Sequence, residues 1–491
     1  MRNSGILLPV SALPSEYGIG TFGEEAYKFV DFLCSAKQKF WQILPLGHTG
    51  YGDSPYQCFS AFAGNPYFID LNQLVKEGYL SETDLPKKSN SEKIEYGKLF
   101  SERIPLIKKA ASAVKDNDAE FVKFRNHNEY WLDGYALFMA IKENEKMKPL
   151  EKWKDELRCP DEKMFNRLSY EFYDKASVWK KVQYLFFEQW KKLKEYANSM
   201  RVEIIGDVPV YVSPDSAEMW LNKELFLTDE NLNPKFSAGC PPDEFSPLGQ
   251  LWGNPLYDWD FHKNSGYDWW LKRLSLSSEI YDVVRIDHFR GFEDFYAVPS
   301  TADNAVSGVW FKGPSKDFID AVKSELPNLR VIAEDLGNIT DEVRELVEYS
   351  GYPGMKILQF AFDGTDNSFL PHNYNYNCVA YTGTHDNPTM KQWMLICNDD
   401  ELLSAKKYLA VNNKDTFVND CIRALYSSVC RTVIIPIQDW LNLGVQARIN
   451  VPSIADGNWV WRADGKDFTQ ELAQRIREMT ELYFRNREET I

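Results

Sequence analysis

Eight short apolar segments, spaced along the whole chain, constrain the fold more than any other feature of the sequence. Each has the length and composition of a buried strand. They lie at residues 5–10, 40–47, 202–212, 281–292, 330–337, 355–362, 378–387 and 431–439. Helix-like segments lie between them, such as 24–36, 315–326 and 340–350. Strands that alternate with helices pair in parallel, and eight of them predict an α/β fold, the (β/α)8 or TIM barrel.

The chain has 491 residues, and a barrel often exceeds 250 residues as one unit. We therefore predict a single domain over 1–491, with helical and loop insertions between the strands and no separate C-terminal β-domain. Residues 72–201, after the second strand, are rich in Lys and Glu and carry apolar residues at helical spacing, which predicts a largely helical insertion subdomain. Residues 209–280 are rich in turn-forming residues, and we expect a loop-rich insertion that forms part of the cleft.

The segment 281–292 ends in a dense group of ionisable side chains, which is unusual for a buried strand. A side-chain period of two places Arg285 and Asp287 on one face of the strand and the apolar Val284 and Ile286 on the other. Ion pairs without a function also collect charges at strand ends. This segment alone is therefore equally consistent with a structural salt bridge.

Acidic residues recur at the ends of the other predicted strands. They are Asp207, Glu334, Asp335, Asp386 and Asp439. The carboxyl ends of barrel strands meet at one mouth, and the active sites of barrel enzymes lie there. A structural salt bridge would have to explain this coincidence at several strands, so the pattern favours one shared site of carboxylates.

The chemistry open to such a site is narrow. The chain has no GxSxG elbow and no Walker-type glycine loop, and it lacks the spacings typical of metal ligands, so we expect no metal. Two carboxylates that face a glycosidic bond can break it, one as nucleophile or base and the other as proton donor. A separation of about 5 Å leads to retention of configuration.

Among the carboxylates, Asp287 is the better nucleophile because Arg285, on the same face, would hold it ionised. The acid is Glu334 or Asp335, since their apolar approach would raise a carboxyl pKa by desolvation. Alternation sends these two neighbours to opposite faces, and the pattern does not say which of them faces the site. Asp386 would be a third group, one that grips sugar hydroxyls and strains the ring.

Charge and cysteine usage narrow the partners and the location. The formal charge of −16 and the pI near 5.0 would repel a phosphate backbone or an anionic membrane surface, so we expect neither nucleic-acid nor membrane partners. No stretch approaches the length of a membrane span, and the N-terminal apolar run is too short for a signal peptide. The eight cysteines are scattered without a CxxC pair, which is typical of reduced thiols in a cytoplasmic protein.

Four short motifs resemble those of the α-amylase superfamily and occur in the order GDVPVYV, RIDHFRG, IAEDLG and TGTHDN. Longer stretches are similar to the 4-α-glucanotransferase family, among them FWQILPLGHTGYGDSPYQ, PPDEFSPLGQLWGNPLYDW, GYPGMKILQFAF and DGNWVWR. The resemblance runs from about residue 4 to about residue 462, and its motifs are long. It is therefore specific.

The resemblance implies roles for individual residues. Asp287 is implied as the nucleophile, Glu334 as the acid/base and Asp386 as the stabiliser of the transition state. Sugar contacts around the cleaved ring are implied for Tyr56, Asp207, Arg285 and His385. The stretch 243–252 resembles a mobile loop over the acceptor side, with the substrate-binding residues Asp243, Gln250 and Trp252.

The resemblance also implies the reaction, a retaining transfer of α-1,4-glucan segments to the 4-hydroxyl of an acceptor glucan through a covalent intermediate. It implies α-1,4-glucans and maltooligosaccharides as partners, no cofactor and no obligatory protein partner. The loops at 49–66 and 239–257 are candidate lids that would exclude water. Two alternatives stay open: an amylase-like α-glucan hydrolase with a wetter site, and a non-catalytic glucan-binding protein on the same barrel.

Overall fold

The computed structural model describes residues 2–89, 91–242, 246–411, 413–452, 454 and 456–486, and a parallel barrel lies at its centre. The strands in these residues are, in chain order, β1 (Asn3–Leu7), β2 (Phe40–Gln42), β3 (Glu203–Val208), β4 (Phe236–Cys240), β5 (Gln250–Pro255), β6 (Val283–Ile286), β7 (Asp294–Pro299), β8 (Val309–Lys312), β9 (Val331–Ala333), β10 (Gly354–Ile357), β11 (Cys378–Tyr381) and β12 (Thr432–Pro436).

Eight strands form one parallel sheet in the order β10, β11, β12, β1, β2, β3, β6, β9, and its two ends meet. At this seam the backbone N–H of Ala333 donates to the carbonyl of Pro353 at 3.0 Å. The Asp335 carboxylate accepts from the backbone N–H of Met355 at 2.6 Å. Between β9 and β10 a side-chain hydrogen bond thus supplements a backbone hydrogen bond, whereas the other pairs of neighbouring barrel strands are joined by a ladder of backbone hydrogen bonds. The barrel is nearly closed, and the predicted (β/α)8 fold is confirmed.

Several barrel strands are shorter than the apolar segments that predict them. The segment 202–212 contains β3, which ends at Val208, and the segment 281–292 contains β6, which ends at Ile286. A short 3-10 helix, Phe289–Phe292, follows β6. The apolar residues beyond the strand ends are buried in the loops that form the mouth. An apolar run therefore predicts a longer strand than the hydrogen-bonded ladder contains.

A second sheet is antiparallel and has four strands in the order β5, β4, β7, β8. The sequence does not predict this sheet. Two of its strands, together with helices, occupy the range 209–280 that was expected to be loop-rich. These strands have the sequences FSAGC and QLWGNP, in which Gly and Pro interrupt any alternation of polar and apolar residues. The sequence therefore carries little strand signal in this range.

Helices cover the outside of the barrel and fill most of the range 72–201. The described residues contain α1 (Glu24–Ser35), α2 (Leu71–Lys76), α3 (Tyr96–Ala113), α4 (Ala119–His127), α5 (Glu129–Asn144), α6 (Asp155–Arg158), α7 (Glu162–Glu171), α8 (Tyr173–Ser199), α9 (Ala217–Leu221), α10 (Trp259–Asn264), α11 (Asp268–Ile280), α12 (Ser315–Glu325), α13 (Asp341–Ser350), α14 (Met390–Ile396), α15 (Asp399–Tyr408), α16 (Phe417–Ser427), α17 (Ile437–Trp440) and α18 (Gln470–Leu482). Across the described ranges, none of these helices has the length and apolar character needed to cross a membrane.

Inward-facing side chains from all eight barrel strands form one apolar cluster. Its members are Leu7, Phe40, Ile205, Val283, Ile332, Met355, Ile357, Val379, Tyr381 and Ile434. Val284 and Ile286 instead belong to the larger core between the barrel and its helices. The face of β6 that begins at Val283 continues through Arg285 to Asp287, so alternation along one strand brings these two side chains to the barrel mouth.

Candidate active site

Arg285 lies at the centre of the barrel mouth and joins two carboxylates. Its Nη1 atom is 2.7 Å from each oxygen of Asp207, at the end of β3, and its Nη2 atom is 3.0 Å from Oδ1 of Asp287. Its Nε atom faces the Met355 sulfur at 3.4 Å. Because Arg285 is only 3% exposed and Asp207 only 2%, this pairing is shielded from bulk water. A buried guanidinium of this kind fixes both carboxylates in place.

Glu334 follows β9 and turns toward the same group. Its Oε2 atom accepts from the backbone N–H of His288 at 2.7 Å, and its Oε1 atom accepts from Leu336 N at 3.2 Å. His288 directly follows Asp287 and has a left-handed backbone with φ of 51°, an uncommon conformation outside glycine. That conformation places the N–H of His288 against the carboxyl group of Glu334.

Desolvation raises the pKa of Glu334 to about 8, although the positive charge of Arg285 opposes the shift. The negative charge of Asp287 adds to the increase. Glu334 is therefore protonated at neutral pH and can donate a proton to a bound group.

Asp335, the neighbour of Glu334, has a different position. Its carboxylate binds Met355 N at the barrel seam, and burial raises its pKa to about 6. A β-carbon on Gly354 would lie 2.4 Å from Oδ2 of Asp335, so glycine is needed there for the close approach. The sequence left open whether Glu334 or Asp335 faces the site. In the structure Glu334 lies with Asp287 and Arg285, whereas Asp335 binds the neighbouring strand.

Tyr56 and His385 form a second part of the site. The Tyr56 hydroxyl donates to Oδ2 of Asp207 at 2.8 Å and lies 2.8 Å from Nε2 of His385. The two rings stack with centroids 5.2 Å apart. Tyr56 comes from the loop after β2 and His385 from the loop after β11, so these contacts tie two distant loops to the end of β3.

Asp386 lies beside His385, with Oδ2 at 3.3 Å from Nε2 of the imidazole. Its side chain is 44% exposed. Partial desolvation acts to raise the pKa of Asp386, but the charge and hydrogen bond of His385 lower it to about 2. Burial alone would lower the pKa of His385, whereas the Asp386 charge and hydrogen bond raise it. Asp386 is thus a carboxylate that stays ionised while remaining open to the cleft.

The predicted acceptor-side residues lie partly in β5. The Trp252 ring meets the His288 ring edge to face, with centroids 4.9 Å apart. The Trp252 indole N–H donates to Oε1 of Gln250 at 3.0 Å. Trp252 thus lies against the residue that follows Asp287, and Gln250 is bonded to Trp252. Asp243, the third of the set, lies outside the described residues.

Three residues at the site were not among the predictions. Asn450 Nδ2 donates to Oδ1 of Asp386 at 2.6 Å, and Arg448 Nη2 donates to the Asp386 carbonyl at 3.0 Å. The ring of Trp459 lies 5.9 Å from Tyr56 and 6.0 Å from His385, between centroids. All three follow β12. The only signal in the sequence was their position in or near the C-terminal DGNWVWR motif.

Asp439 shows that an acidic strand end can also be structural. Its Oδ1 atom accepts from Met390 N at 2.7 Å, and Oδ2 accepts from the hydroxyl of Thr382. Both partners are buried parts of the scaffold, and Asp439 itself is 3% exposed. This carboxylate holds the loop after β11 and does not join the Asp287 group.

Within the described ranges, no group of three or more His, Cys, Asp or Glu side chains could hold a metal ion.

Comparison with known proteins identifies close relatives. A family profile described as 4-alpha-glucanotransferase matches residues 8–467. The 4-alpha-glucanotransferase of Clostridium butyricum is 46% identical over 483 residues, which cover 97% of this chain and 99% of that protein. The 4-alpha-glucanotransferase of Thermus thermophilus is 41% identical over 495 residues, 98% of each chain. The solved structure of amylomaltase from Streptococcus agalactiae in complex with acarbose superposes with a TM-score of 0.96 at 39% identity, covering 99% of this chain and 100% of that one.

Proposed function

The chain belongs to the 4-alpha-glucanotransferase family, and from that premise we propose how its residues divide the reaction. The reaction is transglycosylation: an α-1,4-glucan segment passes from a donor to the 4-hydroxyl of an acceptor glucan with retained configuration. The observation that carries the proposal is the pairing of an arginine-bound aspartate with a glutamic acid whose pKa is about 8 at one barrel mouth.

In the first step the Asp287 carboxylate attacks C1 of the donor glucose. A bond forms between Asp287 Oδ and C1, the bond from C1 to the glycosidic oxygen breaks, and the proton of Glu334 moves to that oxygen. The contact of Arg285 with Asp287 supports this role for the aspartate. The raised pKa of Glu334 supports its role as the acid.

In the second step an acceptor enters with its 4-hydroxyl toward C1. Glu334, now ionised, takes the hydroxyl proton, the oxygen bonds to C1, and the ester to Asp287 breaks. Both groups return to their starting protonation states. Two inversions at C1 retain the α configuration.

The remaining groups bind and stabilise the sugar at the cleaved bond. We assign Asp386 to the positive charge that develops on the ring, because its pKa of about 2 keeps it negative. Tyr56, Asp207 and His385 form a connected hydrogen-bonded group that would hold hydroxyls of the same ring. Gln250, Trp252 and Asp243 are assigned to the acceptor side.

Transfer requires that the acceptor reach the intermediate before water does. We assign the loops 49–66 and 239–257 as lids that exclude water once a glucan is bound. We also interpret 72–201 as a helical insertion subdomain and 209–280 as an insertion forming part of the cleft, both within one catalytic domain over 1–491. A cytoplasmic location, supported by eight free thiols, and the absence of an obligatory protein partner complete the proposal.

Incubation with maltotriose tests the function. A transferase releases glucose and builds longer maltooligosaccharides while the total number of reducing ends stays constant. The family comparisons favour neither alternative, and each predicts something else: a hydrolase raises the number of reducing ends, and a glucan-binding protein leaves maltotriose unchanged. Asp287→Asn serves as the control. Full turnover in that variant would contradict the assignment of the nucleophile.

A further inference from the structure

The carboxamide of Gln57 connects the loop after β2 to strand β5. Its Nε2 atom donates to Oδ1 of Asn254 at 3.0 Å and lies 3.5 Å from the carbonyl of Trp252. Asn254 is 5% exposed, and its Nδ2 atom donates to the Val212 carbonyl at 2.7 Å. Since the amide nitrogen of Asn254 is committed to Val212, its oxygen must face Gln57, and Gln57 must present its NH2 group.

Strand β5 needs this support at the residues that Gln57 reaches. Its pairing with β4 shifts register, because Gly239 lies opposite Leu251 whereas Ser237 lies opposite Pro255. Residues 252–254 therefore bulge out of the ladder, and Gly253 within the bulge has a φ of 81°. A bulge leaves backbone groups without ladder partners, so an outside contact fixes their position.

The bulge carries the acceptor-side ring, and the loop carries the donor-side hydroxyl. Trp252 packs against His288, the residue after Asp287, at 4.9 Å between ring centroids. Tyr56, next to Gln57 in the chain, binds Asp207 and His385. The loop is itself held in shape, since Gln57 N donates to the Ser54 carbonyl at 3.0 Å and Gly50 N donates to the Gln57 carbonyl at 2.9 Å.

We propose that Gln57 is a positioning residue for the acceptor: its carboxamide holds the bulge of β5 so that Trp252 stays against His288 beside the reacting carbon. The proposal rests on the transferase function and deepens it. Gln57 acts through Asn254 and Trp252. Without it the Trp252 ring shifts, acceptor sugars bind less well, and water competes better for the glycosyl–enzyme intermediate.

The test separates the two half-reactions. The donor is a maltotriosyl fluoride that lacks its terminal 4-hydroxyl and so cannot act as an acceptor, and the acceptor is glucose. The burst of fluoride release reports formation of the intermediate, and the ratio of transfer product to free sugar reports its fate. For Gln57→Ala we expect a burst rate within twofold of the wild type, a KM for glucose raised about three- to tenfold, and a larger hydrolysed fraction, as the loss of one partly buried hydrogen bond predicts.

Three further variants make the result specific. Gln73→Ala removes the same atoms from helix α2, where the Gln73 carboxamide donates to the Glu77 carboxylate, and leaves every parameter unchanged. Gln57→Glu keeps the size of the side chain but sets an acceptor against Oδ1 of Asn254, so it reproduces the effect of Gln57→Ala even if the alanine variant folds poorly. In an Asn254→Ala background, Gln57→Ala adds little, because the partner is already missing.

Two outcomes overturn the proposal. One is a Gln57→Ala enzyme with a wild-type KM for glucose and a wild-type hydrolysed fraction. The other is a burst rate that falls as much as acceptor use does, which would place Gln57 on the donor side or in the general scaffold. Failure of the proposed function is distinguishable, because the wild-type protein would then form no transfer product from the fluoride donor and glucose.

Discussion

Glu334 and Asp335 are adjacent carboxylates with opposite surroundings, and the difference predicts opposite mutational effects. Glu334→Gln cannot donate a proton, so we expect kcat/KM for maltotriose to fall about 10²- to 10⁴-fold. A glycosyl fluoride needs no protonation of its leaving group, so fluoride release by this variant should stay within about tenfold of the wild type. Asp335→Asn keeps an oxygen that can accept from Met355 N and should retain most activity on both donors. Loss of maltotriose turnover in Asp335→Asn with a silent Glu334→Gln would reverse the assignment.

The pKa of Glu334 predicts how the first half-reaction depends on pH. The acid is protonated below a pKa of about 8 and loses its proton above it. We therefore expect kcat/KM for maltotriose to fall tenfold per pH unit above about pH 8. Fluoride release from a glycosyl fluoride should lack this alkaline decline. A decline that starts near pH 5, or one that is equal for both donors, would contradict Glu334 as the acid.

At the scale of single elements, the barrel strands were predictable because each lies in a largely apolar run, and several of these runs end in a carboxylate of the site. The antiparallel sheet of β4, β5, β7 and β8 was not, since Gly or Pro interrupts β4 and β5 and since β4 pairs with β7, which is distant in sequence. Asn450 was missed for a similar reason: it binds Asp386, which is 64 residues away, and no local pattern connects the two. The choice between Glu334 and Asp335 required the positions of both side chains.

The packing of β3 against Tyr281, two residues before β6, gives an element-scale prediction. A β-carbon at Gly206 would lie 2.1 Å from the ring of Tyr281, which is buried. Gly206→Ala should therefore destabilise the protein by about 1 to 3 kcal/mol, measured by denaturant unfolding, because the ring must move within a packed core. Gly97→Ala in α3 is the matched control, since its β-carbon meets nothing within 4 Å and alanine favours helix. Equal stabilities of the two variants would contradict this account of the packing.

At the scale of the whole molecule, the raised pKa of Glu334 lowers stability. Its pKa is about 8 in the folded protein against an ordinary value of 4.5, so the folded state holds a proton that the unfolded state releases between these values. The free energy of unfolding therefore has its full value below about pH 4.5 and falls as the pH rises through about 8. Glu334→Gln removes this dependence.

We accordingly expect Glu334→Gln to be more stable than the wild type at pH 9 by roughly 1 to 3 kcal/mol, and to differ less at pH 4. Thermal unfolding at the two pH values, at one scan rate, measures the difference. A gain in Tm that is the same at both pH values would show that packing, and not the titration of Glu334, is responsible.

The seam between β9 and β10 affects how often the barrel opens locally. Other neighbouring strands share a ladder of backbone bonds, but here the N–H of Met355 is held by a side chain whose pKa is about 6. The rate at which this amide hydrogen exchanges with deuterium therefore reports opening of the barrel between β9, which precedes Glu334, and β10. We expect faster exchange in Asp335→Ala than in Asp335→Asn, while amides in the β1–β12 ladder keep their wild-type exchange rates.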